Sequence, residues 1–501
     1  MQPSLSYEEF LSISQKAEVI PVFLTISTDL DTPVSIYLKL KAYENKYSFL
    51  LESVVGGESL GRYSILGIES YAVLKGKKEE FSFEELRQKN KFKLKAKDPI
   101  RALEEKFLSY KAYQDPRLFG FYGGAVGFFS YDTVKYYEKL NGKEEQNKSL
   151  EDDYETIFCF PEIVICFDHA MGEANIICNV YLNKDSNIKK EYERTIEKLR
   201  NIKEQIKDDK GIQDFENLKK INHENNQWAA NTTKEEYMNM VETAKEYIRA
   251  GDIFQAVLSK RFTIKYENHP FWLYRSLRAT NPSPYMFYLN FPESSIIGSS
   301  PEILVKKEND EVILRPIAGT IRRGKNKEED EILGKKLLSD EKERAEHVML
   351  VDLGRNDVGR IAEFGSIKVS DLMVIEKYSH VMHIVTNVKG KISKNKNSFD
   401  ALWAAFPAGT VSGAPKVRAM QIIEELEKEN RGIYAGCIGY FSFDGNMDTA
   451  IALRTMWVKD KVLYAQAGAG IVYDSVPEKE DDEINKKAGA IFAAVENLKK
   501  W

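Results

Sequence analysis

The chain has 501 residues, 43% hydrophobic and 30% charged, enough to bury one large core or two to three ordinary ones. Its formal net charge of -5 leaves no basic surplus for a phosphate backbone, so nucleic acid is not an expected partner. No window approaches the ~20 uninterrupted apolar residues of a membrane helix. The opening MQPSLSYEEF lacks a basic and then apolar secretory pattern, so a cytoplasmic protein is expected.

The region to about residue 180 reads as short strands at 34–40, 47–54, 162–167 and 175–182, the last two joined by a turn at DHAMGEA. Residues 183–226 become dense in Lys, Glu, Asp and Asn, which predicts a solvated helix and a linker. That shift divides the chain into 1–182, a charged helix and linker over 183–230, and 231–501. The last part opens on a capping box, Thr233 with Glu236. Tyr237, Met240, Val241, Ala244, Tyr247 and Ile248 then recur at helical spacing until Gly251. Strands are expected at 253–264 and 285–291, and a charged helical stretch at about 327–353. Further strands run through 374–388, followed by a helix at 417–426, a hairpin about Asp444-Gly445 and a closing helix from about 478 to 499. Without a regular βαβ beat, the expected class is α+β with large antiparallel sheets.

Two acidic pairs carry candidate chemistry. Glu343 and Glu346 lie three apart, as do Glu480 and Glu483, and both segments read as helix, so each pair shares one face. Such a pair is ordinarily a solvated face. Here Glu346 leads into the apolar run VMLVDL, and Glu483 precedes Lys487 by one helical turn. Two facing pairs would suit Mg²⁺, a hard cation that fills its octahedron with water and substrate. Zinc or iron would want His or Cys that these segments lack.

FPAGTVSGAPK (406–416), with Gly409, Gly413 and Pro415, reads as a tight loop before a helix. It could offer N–H groups to an anion or be a plain turn. AQAGAGIVYDS (465–475) reads as a glycine-rich turn leaving a strand. His383 alternates with apolar residues on an expected strand, the pattern of a satisfied core histidine. Arg454, within the apolar strand AIALRTM, needs an anionic partner, either a core carboxylate or a substrate carboxylate. Cys159, Cys166, Cys178 and Cys437 form no C-x-x-C pair and read as reduced, partly buried thiols. Cys437 lies in AGCIGY, which reads as a strand rather than a nucleophile turn.

Taken together, GDIFQAVLS, GSSPEILV, RPIAGTIRRG, ERAEHVMLVDLGRNDVGR, FPAGTVSGAPK, RGIYAGCIGYF, DTAIALRT and AGAGIVYDSVPEKE resemble the chorismate-utilising enzyme family. They occur in the family's order over about half the chain, and the region before them is loosely similar to the leading part of anthranilate synthase large subunits. The resemblance implies a sandwich of large antiparallel β-sheets with helices packed outside. It also implies that Glu346 and Glu483 ligand Mg²⁺ with support from Glu343 and Glu480. Arg454, Tyr434, Lys487 and the backbone at Gly468 and Gly470 would hold substrate carboxylates, with Gly319 and Thr320 lining the pocket. Thr410 would hydrogen-bond the substrate, Glu302 would be the general acid for the leaving 4-hydroxyl, and His383 would act near the ring.

Two positions divide that family by chemistry. Aminodeoxychorismate-forming members carry a nucleophilic lysine where this chain has Ala318, and isochorismate- and salicylate-forming members carry a water-activating lysine where it has Gln255. A neutral amide cannot serve as general base. The nucleophile implied here is therefore ammonia from outside, supplied by a glutamine amidotransferase on a separate chain, usually in a heterotetramer. Rivals are a sibling enzyme, an enzyme that stops at the aminated intermediate, and a catalytically dead tryptophan sensor. LLES (50–53) and NPSPYM (281–286) are similar to tryptophan-binding elements of feedback-inhibited members, which implies effector contacts at Glu52, Ser53, Pro284, Tyr285 and Met286, with Tyr440 nearby. Each segment alone could be an ordinary strand or turn. One departure is Ile484, where relatives commonly have Thr.

Overall fold

Every named strand pairs antiparallel with its neighbours, and the pairings join 22 strands into one hydrogen-bonded network. This is a computed structural model that describes residues 3–54, 61–140, 154–218, 227–378 and 381–498. One core cluster is built from strand and loop residues alone, among them Phe23, Phe49, Val126, Phe287 and Ile438. It is the interior of a sandwich, two inner sheet faces packed on each other. Its fit is close: a Cβ at Gly67 would stand 2.1 Å from the Phe49 ring. A fully buried aromatic of this kind contributes about 1.5–3 kcal/mol.

Helices cover the outer faces. Tyr37, Tyr274 and Ile491, from the helices Pro33–Lys39, Phe271–Thr280 and Pro477–Leu498, form one outer cluster with Leu50 and Ile165. Leu103 and Phe399, from Pro99–Leu108 and Ser398–Ala405, form another with Phe158 and Phe441. Both clusters draw residues from 1–182 and from 231–501. The strand Ser48–Glu52 likewise pairs with Tyr285–Asn290, Met286 opposite Glu52.

The expected strand at 34–40 is instead the helix Pro33–Lys39. Its alternating apolar residues are overruled by local chemistry: the Thr32 side chain accepts from the Ser35 amide, the Ser35 hydroxyl caps in return, and Pro33 fixes the first turn. Within the charged stretch, Ile188–Gln205 and Lys210–Glu216 are helices, and Leu199, Ile202 and Phe215 are buried in the core. Residues 219–226 of the expected linker lie outside the described residues, as do Ser379, His380 and Lys499 of the expected strand and helix. The single stretch expected at 327–353 is two helices, Lys327–Ser339 and Glu341–Gly359. They part at Asp340, whose carboxylate accepts from the amides of Lys342 and Glu343 and starts the second helix. The capping box at Thr233, the 437–451 hairpin and the closing helix are as expected. Among the described residues no helix is long and apolar enough to cross a membrane.

Candidate active site

The two acidic pairs lie on the helices Glu341–Gly359 and Pro477–Leu498. The second helix is pinned to the strand Gln255–Lys265 by a buried ion pair, Lys260 Nζ to Asp481 at 2.7 Å, one residue beyond Glu480. Burial raises the Glu343 carboxyl above its ordinary range, and the negative charges of Glu346, Asp340 and Glu483 add to the rise. Burial also raises Glu480, with Ser475 opposing and Glu483 adding, while Lys342 and Lys487 pull it down. Glu483 thus acts on carboxylates of both helices, so the pairs face each other. Among the described residues no three His, Cys, Asp or Glu form a ready-made metal cage. The pairs are an oxygen-only donor set, crowded by like charge, that leaves positions for substrate and water. That fits Mg²⁺ rather than a softer ion.

A chain of close approaches joins these carboxylates to the other expected site residues. Gln255 donates from Nε2 to Glu346 Oε1 at 3.4 Å, and a Cβ at Gly470 would stand 2.3 Å from the same Nε2. At Gly468 a Cβ would stand 2.6 Å from the Tyr434 hydroxyl, and the Gly468 carbonyl accepts from Lys487 at 3.0 Å. Lys487 in turn pairs with Glu483 at 2.8 Å. Gly468 and Gly470 are not in a turn, as their sequence implied. The strand Val462–Ile471 runs through them, and glycine is required because side chains from neighbouring elements press onto that strand. Arg431 fixes the floor. It donates to the carbonyls of Val257 and Val411 at 2.5 and 2.7 Å and pairs with Glu427, and its positive charge lies against the rings of Tyr131 and Tyr434.

On the other side, Gly319 adopts φ +67, and a Cβ there would meet Glu343 at 3.1 Å. Its carbonyl accepts from His383 Nδ1 at 2.9 Å, with the Thr320 hydroxyl at 3.1 Å from the same nitrogen. A carbonyl can only accept, so Nδ1 carries the proton and, in the neutral ring, Nε2 is the acceptor. Burial lowers the His383 pKa, only partly offset by the Gly319 bond, and Arg454 adds to the lowering, so the ring is neutral at physiological pH. Arg454 is not inside a strand as expected. It stands at φ +47 between Met447–Ile451 and Thr455–Lys459. Among the described residues its guanidinium has no carboxylate partner, and protein packed around it lowers its pKa. Glu302 is 8% exposed at the start of the strand Ile303–Glu308. Burial pushes its carboxyl up to about 8 against smaller pulls from Thr410 and Lys487, so it holds a proton at neutral pH. The Thr410 hydroxyl is buried near it with no hydrogen-bond partner among the described residues. Ala318 is buried on the strand Ile317–Arg322, opposite Ile384.

A sequence model described as chorismate binding enzyme matches residues 46–493. This chain belongs to the chorismate-binding enzyme family. It is 47% identical to anthranilate synthase component 1 of Aquifex aeolicus, over 99% of this chain and 98% of that one. The corresponding protein of Acetivibrio thermocellus is 45% identical over 98% of both. Among solved structures, anthranilate synthase component I from Streptococcus pneumoniae superposes with a TM-score of 0.73 at 37% identity, covering 93% of this chain and 98% of that one. The isochorismate synthase MenF of Escherichia coli shares the fold alone, with a TM-score of 0.65 at 18% identity.

In this member of the chorismate-binding enzymes, a second cavity of about 480 Å³ lies apart from the cleft. Glu52, Ser53, Pro284, Tyr285, Met286 and Tyr440 all line it. Glu52 is already engaged: it accepts from the Tyr274 hydroxyl and from Arg278 at 3.0 and 3.2 Å. Asp448, which sequence reasoning missed, lines the same cavity, and its buried Oδ1 has no partner among the described residues. Tyr378 was missed as well. Its ring meets His383 edge-on at 5.4 Å, and its position before SHVMH was the available signal.

Proposed function

We propose that the protein is the chorismate-aminating subunit of an anthranilate synthase. It converts chorismate and ammonia to anthranilate and pyruvate through 2-amino-2-deoxyisochorismate, at the entry to tryptophan synthesis. The observation that carries this reading is a cleft with a proton-holding acid at Glu302 and no lysine amine at either 318 or 255. The acid to release a hydroxyl is present, and the nucleophile must come from outside.

Arg454 takes a substrate carboxylate, which explains a buried guanidinium without its own anion. Tyr434, Lys487 and the backbone at Gly468 and Gly470 orient the substrate, Gly319 and Thr320 line the pocket, and Thr410 hydrogen-bonds the bound ring. Glu302 gives its proton to the 4-hydroxyl oxygen, which leaves as water while ammonia adds at C2. Neutral His383, held by the Gly319 carbonyl, accepts a proton near the ring at Nε2. Gln255 positions Glu346. Glu346 and Glu483, with Glu343 and Glu480, would hold Mg²⁺, which supplies positive charge and a template for the ring carboxylate.

The four cysteines are buried, and burial raises each thiol, so none is a glutaminase nucleophile. Ammonia therefore comes from a glutamine amidotransferase subunit, in a cytoplasmic heterotetramer. The second cavity takes tryptophan as feedback inhibitor, and Asp448, whose Oδ1 has no partner among the described residues, receives its ammonium group. Two strands connect the sites. Ile303–Glu308 starts at Glu302 and sends Lys306, Lys307 and Glu308 to the cavity, and Met447–Ile451 carries Asp448 while Ile451 N–H donates to the Glu302 carbonyl at 3.1 Å. Any coupling must be reciprocal.

The test uses the purified chain with chorismate, MgCl₂ and an ammonium salt at pH about 8.5, where free NH₃ is more abundant. Anthranilate fluorescence that EDTA removes and tryptophan lowers is expected. Chorismate consumed to another product, identified by mass, would point to a sibling enzyme or a stalled intermediate. No consumption even with a glutaminase subunit present would end the proposal.

A further inference from the structure

Beside Glu302, on the side formed by the helix Glu341–Gly359, lies a small, partly open cavity of about 30 Å³. It is lined by Glu302, Arg315, Asp357 and Thr410, with Leu350 and Leu353 as apolar walls. Three buried polar atoms from this lining have no hydrogen-bond partner among the described residues: Arg315 Nε, Asp357 Oδ1 and Thr410 Oγ1. These are a donor, an acceptor and a hydroxyl able to act as either, drawn from three separate segments. Leaving such groups unsatisfied costs about 1–3 kcal/mol each. The space and the number of polar partners are what a structural water requires.

Asp357 is 3% exposed, and its other carboxylate oxygen accepts from Lys416 Nζ at 2.9 Å. The Arg315 guanidinium is also paired, with Glu376. Arg360 acts on Asp357 through its charge, and Lys487 and Tyr378 face Glu302. Asp357, Lys416 and Arg315 lie in the segments GRND, GAPK and RPIAGT, yet none of them has a role in the cleft chemistry of the preceding section.

We propose that the cavity holds an ordered water, and that through this water the Asp357–Lys416 pair returns to Glu302 the proton it gives up in each turnover. This rests on the reading of Glu302 as general acid. The Glu302 carboxyl loses its proton to the departing hydroxyl, which leaves as water. The cavity water then gives a proton to the Glu302 carboxylate and takes one from the Asp357–Lys416 pair, and the pair refills from solvent at Lys416, whose side chain is 14% exposed. One proton moves at each step and no electrons are exchanged. The route stays open while substrate fills the cleft. Asp357 and Lys416 are positioning and relay residues, not catalytic ones.

A high-resolution crystal structure of the intact chain tests the water directly. Density within hydrogen-bonding distance of Glu302 and Asp357 is expected, and an empty cavity would overturn the proposal. The relay is tested with D357N and K416R, measured on anthranilate formation at a fixed concentration of free NH₃. Relative to the natural chain, kcat of both variants should fall by about tenfold per pH unit from about pH 6.5 to 7.5, with the chorismate KM nearly unchanged. The Tm should hold in K416R and fall in D357N, which breaks a buried ion pair. Arginine keeps the ion pair but cannot release its proton. A natural pH profile in K416R therefore means that Lys416 only pins the loop, and the relay is wrong. D357N with natural kcat, or with a loss independent of pH, also overturns it. If the natural chain makes no anthranilate, the general-acid reading and the relay fall together, while the crystal structure still decides the water.

Discussion

The cleft and the second cavity are both polar and partly buried, but they treat their charges differently. In the cleft, Arg454 has no carboxylate partner among the described residues, Glu302 keeps a proton because burial disfavours its charge, and Glu343 is crowded by Glu346 and Glu483. In the cavity, Glu52 is held by Tyr274 and Arg278, and among the described residues Asp448 is the lining carboxylate with an unpartnered buried oxygen, beside the hydroxyls of Ser53, Tyr122 and Ser442. Under the proposed function, the cleft stores electrostatic cost that a dianionic substrate and a cation would relieve. The cavity is largely self-neutralised, and under the same proposal it would need only a small zwitterion. A site that performs chemistry tolerates unstable charge; a site that senses does not need it.

If that contrast is right, the largest effect comes from Glu302. E302Q should lower kcat by about 10²–10⁴-fold with the chorismate KM little changed, because an amide has no proton to give. The natural enzyme should lose kcat as pH rises through about 8. Below that value the raised carboxyl is protonated and active, and above it the acid form is gone. A flat profile past pH 9 would show that another group protonates the hydroxyl. The next effect is at Arg454. R454M removes a charge that only substrate satisfies, so kcat/KM should drop by about 100-fold, the worth of about 3 kcal/mol from a charged hydrogen bond. Because burial disfavours the guanidinium in the empty protein, Tm should not fall. A lower Tm with normal kinetics would make Arg454 a core residue and break the contrast.

The cavity should answer differently. D448N removes the charge of the one carboxylate that, among the described residues, keeps an unpartnered buried oxygen in the cavity. Its inhibition constant for tryptophan should rise by about tenfold while kcat and KM stay near natural values, because the missing charge would bind the effector alone. Unchanged inhibition would remove Asp448 from the effector site.

How much of this was visible in the sequence follows from how local each feature is. The acidic pairs were legible because a spacing of three on a helix is a local rule, and Thr233–Glu236 declared its helix for the same reason. The strand expected at 34–40 failed because apolar alternation was weighed without the capping residues Thr32 and Ser35 beside it. Gly468 and Gly470 looked like a turn because their real cause, the approach of Tyr434 and Gln255, comes from residues far away in the chain. Arg454 was marked by its charge within an apolar run, but its backbone is a left-handed corner and not the strand expected. Asp448 and the Arg315–Asp357–Thr410 cavity were illegible. Each depends on several distant segments meeting, and no single segment carries the pattern.

The smallest effect discriminates most within the cavity. Resemblance implied that Glu52 contacts tryptophan, whereas its carboxylate already accepts three hydrogen bonds from Tyr274 and Arg278. If those bonds are its work, E52Q should shift the inhibition constant by less than about threefold. The cost should appear in stability instead, at about 1–2 kcal/mol, discounted because the Arg278 side chain is 36% exposed and keeps some water. Thermal melting read beside tryptophan inhibition separates the two roles. A lower Tm with inhibition intact places Glu52 in the frame between the strand Ser48–Glu52 and the helix Phe271–Thr280. Abolished inhibition at an unchanged Tm means the carboxylate leaves Arg278 for the ligand, and then the cavity, like the cleft, keeps its charge for what it binds.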